Sequence, residues 1–454
     1  MRYLMLNQFN SQSSARTIVV GLLIGLFSLN LFAVEDAKSQ ITKPKKLILP
    51  NLPIPTSANT TAVIDDGEYL NILTFMGLTQ LDNKLDVSSQ AWKLKINKST
   101  LEIEKAAPNT RIQIAEVTIL GNKSSNSLTS DKDSSNDHSA DSSITDLTDT
   151  VLNKNEITKN ELIEDHSPKE KSTDEFWQEI TAVPTEQKQK GRFASSSVVL
   201  ENKVYILGGY STNTVAQPKL NPNRQNITDF YNYDIASDTY QQLADMPVPV
   251  DDTLMLAYQD RYIYVISGWH KDGAVNLVQV FDTLKNEWFQ ASPLLGNGRF
   301  GHAGGIIDNQ ILVCDGMERV AQVASSAVMK IKQSCILGEI SPFDPTKISW
   351  VDWVHPGEKG KFRMAAFSDV DQASITFVGG AEQQYDVNGK TSNGKLVEPN
   401  SEIWVYHANK RSWSIKESSN AIADLKTIIK VNNSLITIGG RDKTGITNRV
   451  LSHN

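Results

Sequence analysis

Two fixed intervals recur through the second half of the chain. Arg192 to Gly209, Arg299 to Gly316 and Arg363 to Gly380 are each 17 residues apart, and Asp251 to Gly268 repeats the interval with the arginine replaced. Behind each glycine comes a step of six: Asp234 to Tyr240, Asp282 to Trp288, Asp344 to Trp350 and His407 to Trp413. Fixed intervals joined by a variable one mark a repeated supersecondary unit, and such a repeat constrains the fold more tightly than any local propensity.

Residues 191–249 set the pattern. Arg192 opens FASSSVVL, Glu201-Asn202-Lys203 turns, and VYILGG is an apolar strand closing on two glycines. After a polar loop, FYNYD alternates as a third strand, and Tyr240 begins a fourth that ends at Met246-Pro247, where proline blocks further pairing. Units starting at Asp251, Arg299 and Arg363 copy this order, with the first turn at Arg261, Asn309 and Ala373. Four antiparallel strands in about 50 residues read as a propeller blade. The expected fold is an all-β propeller of seven blades, with six as the alternative. Residues 421–451 supply only three strands, and residues 46–55 read as an orphan fourth, so a closing strand from the N-terminus is expected to pair into the C-terminal blade.

The N-terminal units are weaker. Residues 60–108 read as four strands, with Asn97 to Ile103 keeping the step of six. The next unit opens at Arg111 and reaches a turn at Gly121-Asn122. Residues 123–175 are then rich in Ser, Asp, Asn and Lys, a composition that does not bury enough apolar surface to offset ordering entropy, and a disordered insertion is expected there. The fourth strand of that unit is expected to resume at Phe176-Trp177. Asp131, Asp133 and Asp137 start like a calcium loop but lack its glycine and terminal glutamate, so no metal site is expected.

Arg2 and Arg16 precede an apolar stretch from Thr17 to Ala33, so residues 1–33 read as a secretory signal or an uncleaved N-terminal anchor, with residues 34–454 as the propeller. Either places the propeller outside the cytoplasm, periplasmic or secreted, with membrane contact only through an uncleaved anchor. The net charge of −7, without a basic run, gives no sign of nucleic-acid binding. Cys314 and Cys335 are the two cysteines and fall on neighbouring strands; they form either a disulfide or a pair of buried thiols.

The order of Arg, strand closing on Gly-Gly, aromatic-x-Asp and an aromatic six residues later resembles the kelch repeat over about residues 46–451. Within kelch proteins, LPNLPIP at 49–55, FVGGA at 377–381 and SLITIGGR at 434–441 look like the bacterial exported sialic-acid mutarotases, the N-acetylneuraminate epimerases. The resemblance implies six blades and a periplasmic location. Against it, residues 250–296 read as an extra blade.

In a blade, the start of the first strand and the end of the second lie on one face. Arg111, Arg192, Arg299 and Arg363 are therefore expected to ring one mouth of the channel, with Asp251 and Ala423 as gaps. Tyr210, Trp269, His270, Glu318, Glu382 and Arg441 are expected beside them, walled by loops 210–228, 317–333 and 381–400. Converging guanidiniums suit a carboxylate, and the aromatic rings suit stacking on a sugar. The alternative is that each arginine packs between blades against a carboxylate. For mutarotation, His302 with Glu318 or Glu382 are the acid–base candidates, although His302 also reads as a structural channel histidine. No metal-ligand spacing, nucleophile elbow, phosphate loop or copper-oxidase ligand set occurs, and no cofactor is expected. The expected function is an exported propeller binding an acidic sugar, a glycan or a protein on its arginine-ringed face. The alternative is an enzyme, a sialic-acid mutarotase or related sugar epimerase.

Overall fold

The computed structural model describes residues 48–82, 84–106, 175–185, 190–211, 225–271, 273–323 and 326–453. The signal segment, Arg111 and all but the last residue of the 123–175 insertion lie outside the described residues.

The described strands form six blades of an all-β propeller. Blade 1 holds Thr60–Asp65, Tyr69–Leu81, Lys84–Asn97 and Gln178–Ile180. Blade 2 spans Ser196–Leu200 to Thr239–Gln242, blade 3 Leu254–Tyr258 to Glu287–Gln290, and blade 4 Ala303–Ile307 to Ile348–Trp353. Blade 5 spans Ala365–Asp369 to Ser412–Glu417, and blade 6 has three strands, Ile429–Val431, Ser434–Ile438 and Val450–His453. Strands are lettered a to d from the axis outward. The a–b turns fall at the four places expected from sequence.

The expectation of seven blades is corrected to six. Residues 101–106 and Gln178–Ile180 are two pieces of one outer strand. Glu104 N donates to Lys95 O, Ile103 bridges Ile96, and Gln178–Ile180 continue along the same strand opposite Ala91–Lys93. Ala106 N donates to Glu175 O at 2.8 Å, so the two pieces meet. The strand placed at Phe176-Trp177 thus completes blade 1 instead of a separate blade. Its sequence signal was ambiguous because residues 101–106 already look like a finished fourth strand.

Residues 48–55 form no strand. Leu52 N donates to Asn448 O at 2.8 Å, Asn448 Nδ2 returns a bond to Leu52 O at 3.0 Å, and Trp177 Nε1 donates to Pro50 O at 3.1 Å. The terminal segment therefore touches both blade 6 and blade 1.

Both sequence intervals have physical causes. The aromatic of the six-residue step sits on strand d and donates a hydrogen bond to the preceding blade. Tyr240 Oη reaches Thr181 O at 2.9 Å, Trp288 Nε1 reaches Ala244 O at 2.8 Å, Trp350 Nε1 reaches Ser292 O at 3.1 Å, and Trp413 Nε1 reaches Val354 O at 2.9 Å. At the inner end, Gly209 and Gly316 leave strand b at φ of 96° and 81°. A Cβ on Gly316 would meet Phe300 O at 2.7 Å, so glycine supplies both the dihedral and the clearance.

One backbone circuit runs through all six blades. Ala194 N donates to Ala58 O, Asp252 N to Ala194 O, Gly301 N to Asp252 O, and Arg363 N to Gly301 O; Leu425 N then donates to Arg363 O, and Ala58 N to Asp424 O. Ala58, Ala194, Asp252, Gly301, Arg363 and Asp424 all have φ from 49° to 61°. Each marks the point where strand a turns off the axis.

In blade 4, Cys314 and Cys335 lie directly opposite on strands b and c, are fully buried and form a disulfide.

Candidate functional site

The axial circuit shows that the arginines do not share one position. Bridges Phe193–Tyr210, Phe300–Met317 and Phe362–Ala381 align Arg192, Arg299 and Lys361, and place Arg363 two residues further on. The interval from Arg363 to Gly380 is a coincidence of loop length.

Arg192 and Arg299 are 0% and 1% exposed, so they do not line an open mouth. Arg192 donates to Gly208 O and Pro184 O and pairs with Asp229 at 3.1 Å. Arg299 donates to Asp315 O at 3.3 Å and Ser334 O at 3.4 Å. Each staples the end of strand b to the start of strand c. Burial lowers the Arg299 guanidinium to about 10, with Asp315 opposing the shift. Lys361 is equally buried, paired with Glu402 at 2.9 Å and lying 3.9 Å over the Trp404 ring. Both arginines are packed inside the fold, but the alternative of an arginine between blades against a carboxylate does not describe them: Arg192 pairs with Asp229 of its own blade, and Arg299 bonds backbone carbonyls.

Arg363 instead crosses the axis. Its Nε and Nη2 donate to Asp252 Oδ2 at 2.9 and 2.7 Å, and its Nη1 to Asp424 Oδ1 at 2.9 Å. Lys426 Nζ adds a bond to Asp252 Oδ1 at 3.1 Å, and Arg441 Nε lies 3.6 Å from Asp424 Oδ2. Blades 3, 5 and 6 are thus joined across the axis by a buried charge belt. Burial would raise the Asp252 carboxyl, but Arg363 and Lys426 outweigh it and hold it below the usual value.

Above the belt, the loop face is sealed by apolar side chains. Leu78, Val87, Phe193, Tyr210 and Ile446 pack with Ala58 and Ala194, and Phe362, Tyr385 and Val397 extend the cap. Tyr210 is buried against Phe193 with ring centroids 5.4 Å apart. Trp269 is half-buried on Phe300 at 5.0 Å, and His270 Nδ1 contacts Pro249 O at 2.7 Å. Arg441 is 2% exposed and donates to Asn388 O and Val387 O, holding loop 381–400 down. These residues lie on the expected face but build its cap.

His302 lies below the belt. It is 4% exposed, its Nε2 is 3.0 Å from Ile266 O of the preceding blade, and burial lowers it to about 3. It is not brought together with Glu318 or Glu382. Those two glutamates do share a groove, of about 520 Å³, with Lys330, Lys332, Lys359, Gln333 and Ser334. Lys332 pairs with Glu318 at 2.7 Å and Lys359 with Glu382 at 2.8 Å. Burial would raise Glu318, but Lys332 outweighs it and holds the carboxyl low and ionised. The groove lies on the loop face, between the hairpin Met317–Val323/Ser326–Ile331 and the segment before Phe362. It can bind a ligand that carries both charge and hydrogen-bonding groups.

The three groove lysines and the axial Asp252, Asp424 and Lys426 escaped the sequence reading. The lysines have no fixed spacing. The axial set could have been found by aligning blades on the residue after each opening position, Phe193, Asp251, Phe300, Phe362 and Ala423, where Asp, Arg and Asp stand in place of Ala and Gly. Among the described residues, no group of three or more His, Cys, Asp or Glu is arranged to hold a metal ion, and no helix is long and apolar enough to cross a membrane.

Six blades, buried arginine staples and strand-d aromatics define a β-propeller, and a kelch motif matches residues 191–247, which is blade 2. The chain is similar to the solved structure of YjhT, at 14% identity and a TM-score of 0.53, covering 89% of this chain and 99% of that one. That likeness concerns the fold. No curated protein matches the chain in sequence.

Proposed function

We propose that this is an exported kelch propeller that binds an acidic sugar, a glycan or a protein on its loop face. The observation that carries this reading is the groove of about 520 Å³ in which Lys330, Lys332 and Lys359 stand with Glu318 and Glu382. Lysine ammoniums attract a carboxylate, while the glutamates and Ser334 suit hydroxyl or amide donors. The buried disulfide and the apolar N-terminal stretch support an oxidising, exported location. In this reading residues 48–55 close the propeller, as their bonds to blade 6 suggest. Titrating N-acetylneuraminate and a neutral hexose against wild type and Lys330→Glu/Lys359→Glu tests it. Both lysines are exposed, so the variant should fold. Acid-selective binding should fall at least tenfold; equal binding by both proteins would sink the reading.

A second reading, a sialic-acid mutarotase, is favoured by one observation: Glu318 and Glu382 line the same groove and could flank a sugar ring. The paired state of Glu318 suits a base better than an acid. Saturation-transfer NMR of anomeric exchange of N-acetylneuraminate decides it, and an exchange rate unchanged by the protein would exclude catalysis.

A further inference from the structure

The axial channel is closed at the loop face and forms a cavity at the other end. It measures about 540 Å³, within the range of small-molecule sites. Strand a of every blade contributes to its wall. The lining runs from Thr253, His302 and Lys426, next to the charge belt, to Val63, Val199, Val370 and Lys430 near the a–b turns. Val370 is 68% exposed, which marks that end as the open one.

We propose that this blind channel is a second binding site, separate from the loop-face groove, for a small neutral polyhydroxylated ligand of monosaccharide size. Three features carry the assignment. First, its charges are already compensated. Lys426 is held by Asp252 at 3.1 Å, and Lys430 by Asp369 at 2.6 Å. An anion reaching the closed end would have to break the Lys426–Asp252 pair, whose side chains are 4% and 1% exposed, unlike the more exposed pairs of the groove, so a neutral ligand is preferred. Second, hydroxyl-bearing residues from different blades line the cavity: Ser196, Ser197, Thr61, Thr427 and Ser368. Ser196 already donates to Thr253 O, Ser197 bonds Thr60 and Thr61 bonds Thr427, so Ser368 is the donor the cavity offers a ligand. Ser368 Oγ accepts a bond from Ile306 N at 2.9 Å, which leaves its proton to donate to a ligand. Between the hydroxyls stand Leu254, Leu256, Ile306 and Ile428, a surface for the C–H face of a sugar.

Third, His302 lines the closed end with an unsatisfied acceptor. Its Nε2 faces the Ile266 carbonyl at 3.0 Å and must carry the proton, so Nδ1 is the lone-pair nitrogen. That Nδ1 is buried and has no hydrogen-bond partner. A buried polar atom without a partner calls for an explanation, and a ligand hydroxyl supplies one. This acceptor and the Ser368 donor would fix a hydroxylated ring at both ends of the cavity.

The experiment is saturation-transfer NMR on the full exported chain with D-glucose, D-galactose and N-acetyl-D-glucosamine, with N-acetylneuraminate as the charged comparison. At least one neutral sugar should bind saturably and shift the His302 Nδ1 resonance, identified with His302→Gln. Val370→Trp narrows the open end at an exposed position, and Ala366→Phe fills the channel wall; each should weaken neutral-sugar binding at least tenfold. Lys330→Glu/Lys359→Glu should leave it unchanged, which separates this site from the groove. Absence of saturable binding by all three sugars overturns the proposal. Binding that both channel variants retain overturns it too, as does binding that disappears with the groove variant.

Discussion

Removing Arg363 should cost more stability than removing any surface charge. Its guanidinium bonds Asp252 at 2.7 and 2.9 Å and Asp424 at 2.9 Å, and both carboxylates are 1% exposed. In Arg363→Ala, Asp252 retains Lys426 at 3.1 Å, but Asp424 is left with a long bond from Tyr385 Oη at 3.4 Å, with Arg441 at 3.6 Å, and with an Oδ2 that has no hydrogen bond even in the intact protein. Breaking a buried pair from one side costs about 3–5 kcal/mol. That is a large part of the roughly 5–15 kcal/mol by which domains are stable. The exposed pair Lys98–Asp65, equally short at 2.7 Å, provides the contrast, because surface pairs contribute about 0–1 kcal/mol. The pH dependence has a definite sign. Asp252 is depressed in the folded state, so its contribution is present above the unfolded value near 3.9 and is lost as pH falls through the folded value. Wild type should therefore be flat between pH 7 and pH 5 from this source. In the variant, an uncompensated carboxylate takes up a proton more readily, and the deficit should shrink toward pH 5. Urea unfolding followed by tryptophan fluorescence at both pH values measures it. A loss at pH 7 no larger than that of Lys98→Ala would refute the view that the belt ties three blades together.

Trp288→Phe keeps an aromatic side chain but loses the indole N–H that bonds Ala244 O and part of the packing on Phe230 and Phe281, and should lower stability by at least about 1 kcal/mol in the same assay; no change would mean that the indole of the six-residue step does not hold the blades together. Cys314→Ser/Cys335→Ser opens a crosslink with a sequence separation of 21 and should cost about 3 kcal/mol, a difference that reductant should reproduce in wild type. Replacing residues 107–174 by three glycines should leave the urea midpoint equal or higher, because Ala106 and Glu175 already touch and shorter loops cost less closure entropy. A loss above about 2 kcal/mol would show that the replaced residues do more for the blade than connect it.

The fold was legible wherever a sequence interval had one physical cause repeated in every blade. The step from Asp282 to Trp288 was readable because its indole must reach a fixed carbonyl on the preceding blade, and the same reach recurs at Trp350 and Trp413. The glycines were readable because Gly209 and Gly316 stand where strand b leaves the sheet at positive φ. The arginines misled because one residue type served two roles at nearly the same distance. Arg192 and Arg299 point into their own blades to staple strands b and c, whereas Arg363 sits at the axial position and points across the channel. A spacing fixes where a backbone atom falls along a strand. It does not fix which way a long side chain turns, and two residues of register separate a buried staple from an axial strut. The blade count went astray for a related reason, since an interval measured along the chain does not reveal that residues 101–106 and Gln178–Ile180 share one strand. Chemistry in this propeller is therefore to be sought where the repeat is broken, at Asp252, Arg363 and Asp424 on the axis and at the groove lysines. Positions that every blade must fill alike are already used by the fold.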